Sequence, residues 1–186
     1  GHEEGRKWLA MIRGDWAEAT RISEAQVERR PHWYPRMQLA DALSLNGDWE
    51  RIVEVVGQAF PELLAPAPEV NDFNVWGARR LAQAYQRMGR ESDARVVAEA
   101  GLAHVQRSRK LQAGGWMAGP EDAVFLSVLG NDRAAMDSLE AAIEADWMFY
   151  AQALVQDSVF NHLAENERFR GLVARLEANM AEQRAW

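Results

Sequence analysis

The sequence predicts an all-α fold assembled from antiparallel helix pairs. Three observations predict it. A glycine-centred turn recurs along the chain, the stretches beside each turn carry apolar residues at helical spacing, and strand-like alternation is absent. The turns are RGDWAEA at 13–19, NGDWERI at 46–52, MGRESDA at 88–94 and LGNDRAA at 129–135. In each, glycine is followed by polar residues able to cap a helix, and a small or aliphatic residue stands five places after the glycine. Glycine accepts the positive-φ conformation that ends one helix, and a following Asp or Ser accepts the orphan N–H groups of the next.

The first pair spans 3–31, with Asp15 and Glu18 at capping-box spacing and Pro31 closing the unit. The second spans 33–60. Its first helix, RMQLADALSLNG, places Met37, Ala40, Leu43 and Leu45 around a helical face, and EVVGQAF continues its partner. The third spans 73–108, with Ala78, Leu81, Ala82 and Tyr85 on the first helix and Ala94 and Ala98 on the second. The fourth spans 120–146 and offers Ala123, Leu126, Ala135 and Leu139. Small residues at these positions let paired helices approach closely. Trp16 and Trp49 are expected to fill wedges between neighbouring pairs.

Two stretches break the spacing. Phe60 to Asp72 contains Pro61, Pro66 and Pro68, which a helix interior does not tolerate, so an extended loop is expected that the flanking pairs do not need for folding. Lys110 to Pro120 reads as a second insertion, with Pro120 suited to the first turn of the following helix. A capping segment at 148–184 follows. Its Phe160, Leu163, Phe169, Leu172 and Leu176 are spaced to cover the apolar face of the last pair.

Together these features resemble the tetratricopeptide repeat (TPR) family, whose unit is about 34 residues with small and aromatic residues at set positions. The third unit matches best, and the matches run over about 13–146. The resemblance implies a single domain over 1–186, a right-handed superhelical array of helix pairs (an α-solenoid) with a C-terminal capping helix. The tail, with Asp157, Phe160, Leu163, Phe169 and Leu172, is similar to segments that end TPR regions of bacterial regulators. Those regions stand behind adenylate-cyclase domains or in winged-helix, TolB-like regulators. The opening GHEEGRKW, without an initiator Met, reads as a piece of a longer protein with Gly1 left by cleavage.

In this family the first helices line the concave face, which implies a partner-binding groove. Tyr34, Met37, Asp41 and Ser44 come from the second unit, and Trp76, Arg79, Gln83, Gln86 and Arg87 from the third. Arg79 and Gln83, four apart, share one helical face suited to a carboxylate or a peptide backbone. Asp41 and Glu121 stand where some members carry Asn, so the terminal-carboxylate clamp of those members is incomplete.

The bulk numbers restrict the function further. With 186 residues and 48% hydrophobic content, the chain can bury a sizeable core. A net charge of -7 argues against gripping a nucleic-acid backbone or docking on anionic lipid. Without cysteine there is no disulfide and no thiolate chemistry. His2, His32, His104 and His162 are scattered without metal-ligand spacing, and no nucleophile motif or phosphate loop appears, so neither an enzyme nor a cofactor is expected. The expected function is a protein- or peptide-binding module of a larger bacterial signalling or transcription-regulatory protein. The alternatives are a homo-oligomerisation scaffold, a homodimer among them, and a small-ligand sensor with a Trp-lined pocket. The cytoplasm is favoured, with the periplasm the alternative if a membrane span lies upstream.

Overall fold

Each predicted turn glycine lies between two helices in the computed structural model, which describes residues 2–110, 121–145 and 157–184. The second insertion (111–120) and the start of the capping segment (148–156) lie outside the described residues. All described regular structure is helical. No helix among the described residues is long and apolar enough to cross a membrane. The chain divides into two compact units, Gly1–Val97 and Ala98–Trp186.

One turn geometry is used four times. Gly14, Gly47, Gly89 and Gly130 have φ values of 72°, 74°, 72° and 74°, a region that side-chain-bearing residues rarely adopt. The N–H of the residue after each glycine donates to the carbonyl five residues back. These bonds are Asp15 to Ala10 at 2.9 Å, Asp48 to Leu43 at 3.1 Å, Arg90 to Tyr85 at 2.8 Å and Asn131 to Leu126 at 2.8 Å. That is the Schellman closure, and it satisfies carbonyls that a helix end would otherwise leave orphaned. The same residue's carbonyl then accepts the first bond of the next helix, from the N–H of Ala19, Ile52, Ala94 and Ala135 respectively. All four of these donating residues are buried, at 2% exposure or less. The small or aliphatic residue five places after each glycine is thus the first core residue of each second helix.

Capping is uneven. The Asp15 carboxylate accepts from Glu18 N at 3.1 Å, and Asn131 Oδ1 accepts from Ala134 N at 3.4 Å, but Asp48 makes no side-chain cap bond. Only half of the capping box forms at Asp15, because the Glu18 carboxylate turns to Arg21 and Arg6 instead.

Unit 1 holds α1 (His2–Ile12), α2 (Trp16–Arg29), α3 (Trp33–Asn46), α4 (Trp49–Ala59), α5 (Val75–Arg87) and the start of α6 (Glu91–Lys110). Each of α1 to α4 packs on the next, and α5 packs on both α4 and α3. Tyr34 meets Trp76 near the start of α3, and Asp41 meets Arg80 further along, so α3 and α5 run side by side in the same direction. Trp16 and Trp49 are half-buried, each leaning over its own turn glycine at 3.8 Å from where a Cβ would stand.

The proline-rich stretch corrects an expectation. It is not extended throughout. Phe60 and a 3₁₀ turn, Pro61–Leu64, fold back so that Phe60 and Leu63 are buried. A Cβ added at Gly77 of α5 would stand 2.9 Å from Phe60, 3.3 Å from Leu63 and 3.3 Å from Met37. Only glycine leaves room for this contact. The remainder of the stretch is tied down by Asn74, which is wholly buried. Its amide donates to Glu62 Oε1 and to the Glu69 carbonyl, both at 2.9 Å, and its Oδ1 accepts from Asn71 N at 2.8 Å.

Unit 2 contains the rest of α6, α7 (Glu121–Val128), α8 (Asp132–Glu144), a 3₁₀ turn at Ser158–Leu163 and α9 (Glu167–Arg184). Gly101 of α6 lies directly against the wholly buried Phe125 ring of α7. The buried Asp122 carboxylate accepts both arms of Arg109 and the Ser138 hydroxyl, which satisfies its charge locally. The tail residues Phe160, Leu163, Phe169, Leu172 and Leu176 form one apolar cluster with Val124, Ala135, Met136, Leu139 and Ile143 of α7 and α8. Phe160 and Phe169 meet with their rings tilted, at 5.9 Å between centroids. Outside this cluster, Arg168 and Arg175 of α9 both pair with Glu140 of α8.

Candidate functional site

The nine residues expected to line one groove separate into distinct environments. Met37 is wholly buried beneath Gly77, so it is core. Ser44 is buried, and its hydroxyl donates to the Asp41 carbonyl at 2.7 Å, a local back-bond. Gln83 is wholly buried and accepts from Arg80 Nη1 at 3.0 Å. Arg87 lies near the end of α5, exposed, with its guanidinium 6.0 Å from the Trp49 ring. Gln86 is half-buried on the last turn of α5. The structure therefore does not present Met37, Ser44 and Gln83 to a partner.

Tyr34, Asp41, Trp76 and Arg79 do come together, and they recruit two residues that the repeat pattern does not single out. The first is Arg80. Asp41 Oδ1 accepts from Arg80 Nε at 2.6 Å and from Trp76 Nε1 at 3.1 Å, with Arg79 Nη2 at 4.0 Å. The Arg79 and Arg80 side chains are only 9% and 10% exposed, so this is a desolvated cluster and not a solvated surface pair. Charges so placed must be held by fixed partners, because burial of an uncompensated charge costs several kcal/mol. Trp76, Arg80 and Gln83 share one stripe of α5 at i, i+4 and i+7, which is why Arg80 meets Asp41.

The second is Trp33. It is 39% exposed and Tyr34 is 44% exposed, and their rings meet edge to face at 5.6 Å. Tyr34 in turn meets Trp76 edge to face at 6.0 Å, and Trp33 tilts against buried Phe60 at 6.2 Å. The result is a row of aromatic edges, open to solvent at Trp33 and Tyr34 and anchored through Trp76 to the ionic cluster. Each indole or phenol in such a row is held by its neighbours, so little side-chain freedom remains to be lost on contact. The sequence signal for Trp33 is its pairing with Tyr34 at a helix start, and for Arg80 its spacing from Trp76.

Elsewhere, burial pushes the Tyr85 phenol up, with the Arg90 guanidinium stacked 4.1 Å from its ring partly opposing that shift. No group of three or more His, Asp or Glu side chains among the described residues could hold a metal ion. Comparison with family models, with curated proteins and with solved structures returns no match to this chain.

Proposed function

We propose that this chain is a helical-repeat module of the TPR type, belonging to a larger bacterial regulator, and that it holds a protein or peptide partner on the face formed by α3 and α5. The observation that carries the proposal is the solvent-open aromatic row of Trp33 and Tyr34, fixed by Trp76 over the desolvated Asp41–Arg80 cluster. Rigid aromatic edges beside satisfied charges are the composition of binding hot spots, where large amphipathic side chains give contact area at small entropic cost. The four-fold turn geometry supports the repeat character, and the buried capping segment of unit 2 supports a terminated array.

The test is selection of displayed random peptides on the chain, followed by binding of the selected peptides to Trp33→Ala and Tyr34→Ala. Loss of about tenfold or more in affinity in either variant, with the melting temperature retained, supports the face. Peptides that bind both variants as they bind the unaltered chain place the partner site elsewhere. A concentration-dependent dimer in light scattering that Tyr34→Ala dissociates assigns the face to self-association.

A further inference from the structure

α9 commits two of its sides to unit 2 and leaves a third open. Phe169, Leu172 and Leu176 enter the apolar cluster with α7 and α8. On one flank of that buried stripe, Arg168 pairs with Asp137 and Glu140, and Arg175 with Glu140 and Glu144, so both cations are held by α8. The other flank borders a shallow depression of about 300 Å³. It is lined by Ala164, which ends the 3₁₀ turn, and by Phe169, Arg170, Val173, Ala174 and Glu177 of α9. Arg170 and Glu177 are exposed, and neither side chain has an ion pair among the described residues. They stand two helical turns apart, roughly 10 Å along the axis. A small apolar floor thus carries an unpaired cation at one end and an unpaired anion at the other.

We infer that this flank packs on the same flank of a second copy, forming an antiparallel pair of α9 helices. The charge pattern is complementary to itself. Arg170 stands three residues before Val173, and Glu177 stands three residues after Ala174. A two-fold axis passing between Val173 and Ala174 therefore sets Arg170 of each copy against Glu177 of the other, and Val173 against Ala174. The shallow crossing angle of about 20° common in helix bundles keeps both ion pairs in reach. A parallel pair would instead set Arg170 on Arg170 and Glu177 on Glu177, which like-charge repulsion disfavours. The contact spans about two turns of each helix and falls at the low end of specific interfaces, below about 1,200 Å², so the dimer is weak and concentration-dependent. This surface is made within unit 2 and does not depend on the α3–α5 face.

Sedimentation equilibrium over a roughly hundredfold range of concentration tests the pairing. The average mass of the unaltered chain is expected to rise from monomer towards dimer. Arg170→Glu alone, or Glu177→Arg alone, replaces two attractions with two repulsions and is expected to weaken association about tenfold or more. Both side chains are exposed, so helical circular dichroism and melting temperature are expected to stay unchanged. An equimolar mixture of the two single variants is the decisive sample. One copy then brings two acids and the other two bases, both cross-pairs return, and the mixture is expected to associate where neither variant does alone. Both reversals in one chain are likewise expected to restore self-association. A chain that stays monomeric throughout overturns the inference, as does a dimer that both single variants form equally well. Single variants that dissociate but do not recombine on mixing overturn the antiparallel register. Tyr34→Ala is expected to leave this association intact. If it dissociates the dimer while the charge reversals do not, self-association belongs to the α3–α5 face and the α9 pair falls.

Discussion

Asp41 on α3 and Arg80 on α5 are joined by a 2.6 Å hydrogen bond that ties two non-consecutive helices together. The bond is shielded, since the Arg80 side chain is 10% exposed, and the same carboxylate oxygen also receives the Trp76 indole. Removing the acid leaves a guanidinium and an indole N–H facing a hole. Asp41→Ala is expected to cost about 3 kcal/mol, the low end for breaking a buried pair, because Asp41 keeps some contact with water. Asp41→Asn keeps an acceptor in place and is expected to cost less than half as much. Urea denaturation of the three proteins checks the order, and equal stability of Asp41→Ala and the unaltered chain would show the pair to be energetically idle.

The two helical glycines among the described residues of unit 2 make opposite predictions for one substitution. A Cβ at Gly101 would overlap the Phe125 ring, and Phe125 is wholly buried. Gly101→Ala is therefore expected to destabilise by about 1–3 kcal/mol through overpacking, despite the helix propensity gained. Adding Phe125→Leu is expected to recover part of the loss. Gly171 on α9 has nothing within 4 Å of where a Cβ would stand, so Gly171→Ala is expected to stabilise by about 0.5–1 kcal/mol. Thermal melts that move the same way for both would contradict the packing described.

The same contrast separates what is legible in the sequence from what is not. The turns are legible because their chemistry is local: a glycine with positive φ, the backbone bond that closes the helix behind it and a buried residue five places on recur at Gly14, Gly47, Gly89 and Gly130. The close-contact residues Ala78, Ala82, Ala94 and Ala98 follow from the same register, and all are buried. The groove is not legible. On α3, Pro35, Met37, Leu39, Ala40, Ala42, Leu43 and Ser44 are all buried, so nearly every face of the helix is covered and no stripe marks the open one. Leu63 reads as part of a proline loop because its burial depends on Gly77, a residue distant in sequence. The Arg80–Asp41 bond joins residues 39 apart, which no local spacing encodes.

Leu63 tests that correction directly. It is 1% exposed and lies against the α5 backbone at Gly77. Leu63→Ala is expected to cost about 2–5 kcal/mol, as removal of a fully buried leucine does. Leu64 is the internal control, since it is 46% exposed and its truncation is expected to cost under about 1 kcal/mol. Denaturation midpoints for the two alanine variants decide whether the segment belongs to the core.

The ionic fringe of the capping segment gives a pH prediction. The hydrogen bond from Arg168, with the charges of Arg168 and Arg175 behind it, holds the Glu140 carboxyl below the usual glutamate range. A carboxyl lowered in the folded state binds protons more readily when unfolded, so its stabilisation is complete above the ordinary glutamate value. It is lost as pH falls from there through the lowered value. Amide exchange of α9 is thus expected to speed up on acidification across that interval, after correction for intrinsic exchange. In Glu140→Gln the pH dependence is expected to flatten, and an unchanged profile would assign the acid response to other groups.

Phe160 and Phe169 carry the strongest prediction for unit 2. The two rings meet within an apolar cluster built from α7, α8, the 3₁₀ turn and α9, and both are at most 5% exposed. Without them, Leu139, Met136 and Val124 lose the largest side chains that the capping segment contributes to their cluster. Truncating one buried Phe to Ala costs about 3–5 kcal/mol, which is a large share of the roughly 5–15 kcal/mol that holds an ordinary domain folded. The double variant Phe160→Ala with Phe169→Ala is therefore expected to lose its cooperative unfolding in unit 2 under conditions where the unaltered chain is folded. The loss need not spread at once, because the contacts of α3 with α4 and α5 are made within unit 1. Hydrogen exchange is expected to show protection lost first from residues 132–144 and only later from residues 75–87. Dye binding to newly exposed apolar surface is expected to accompany the first step. Retention of full protection in α8 by the double variant would mean that the ring pair is dispensable, and that the capping segment is held to α7 and α8 by its leucines and the Glu140 ion pairs alone.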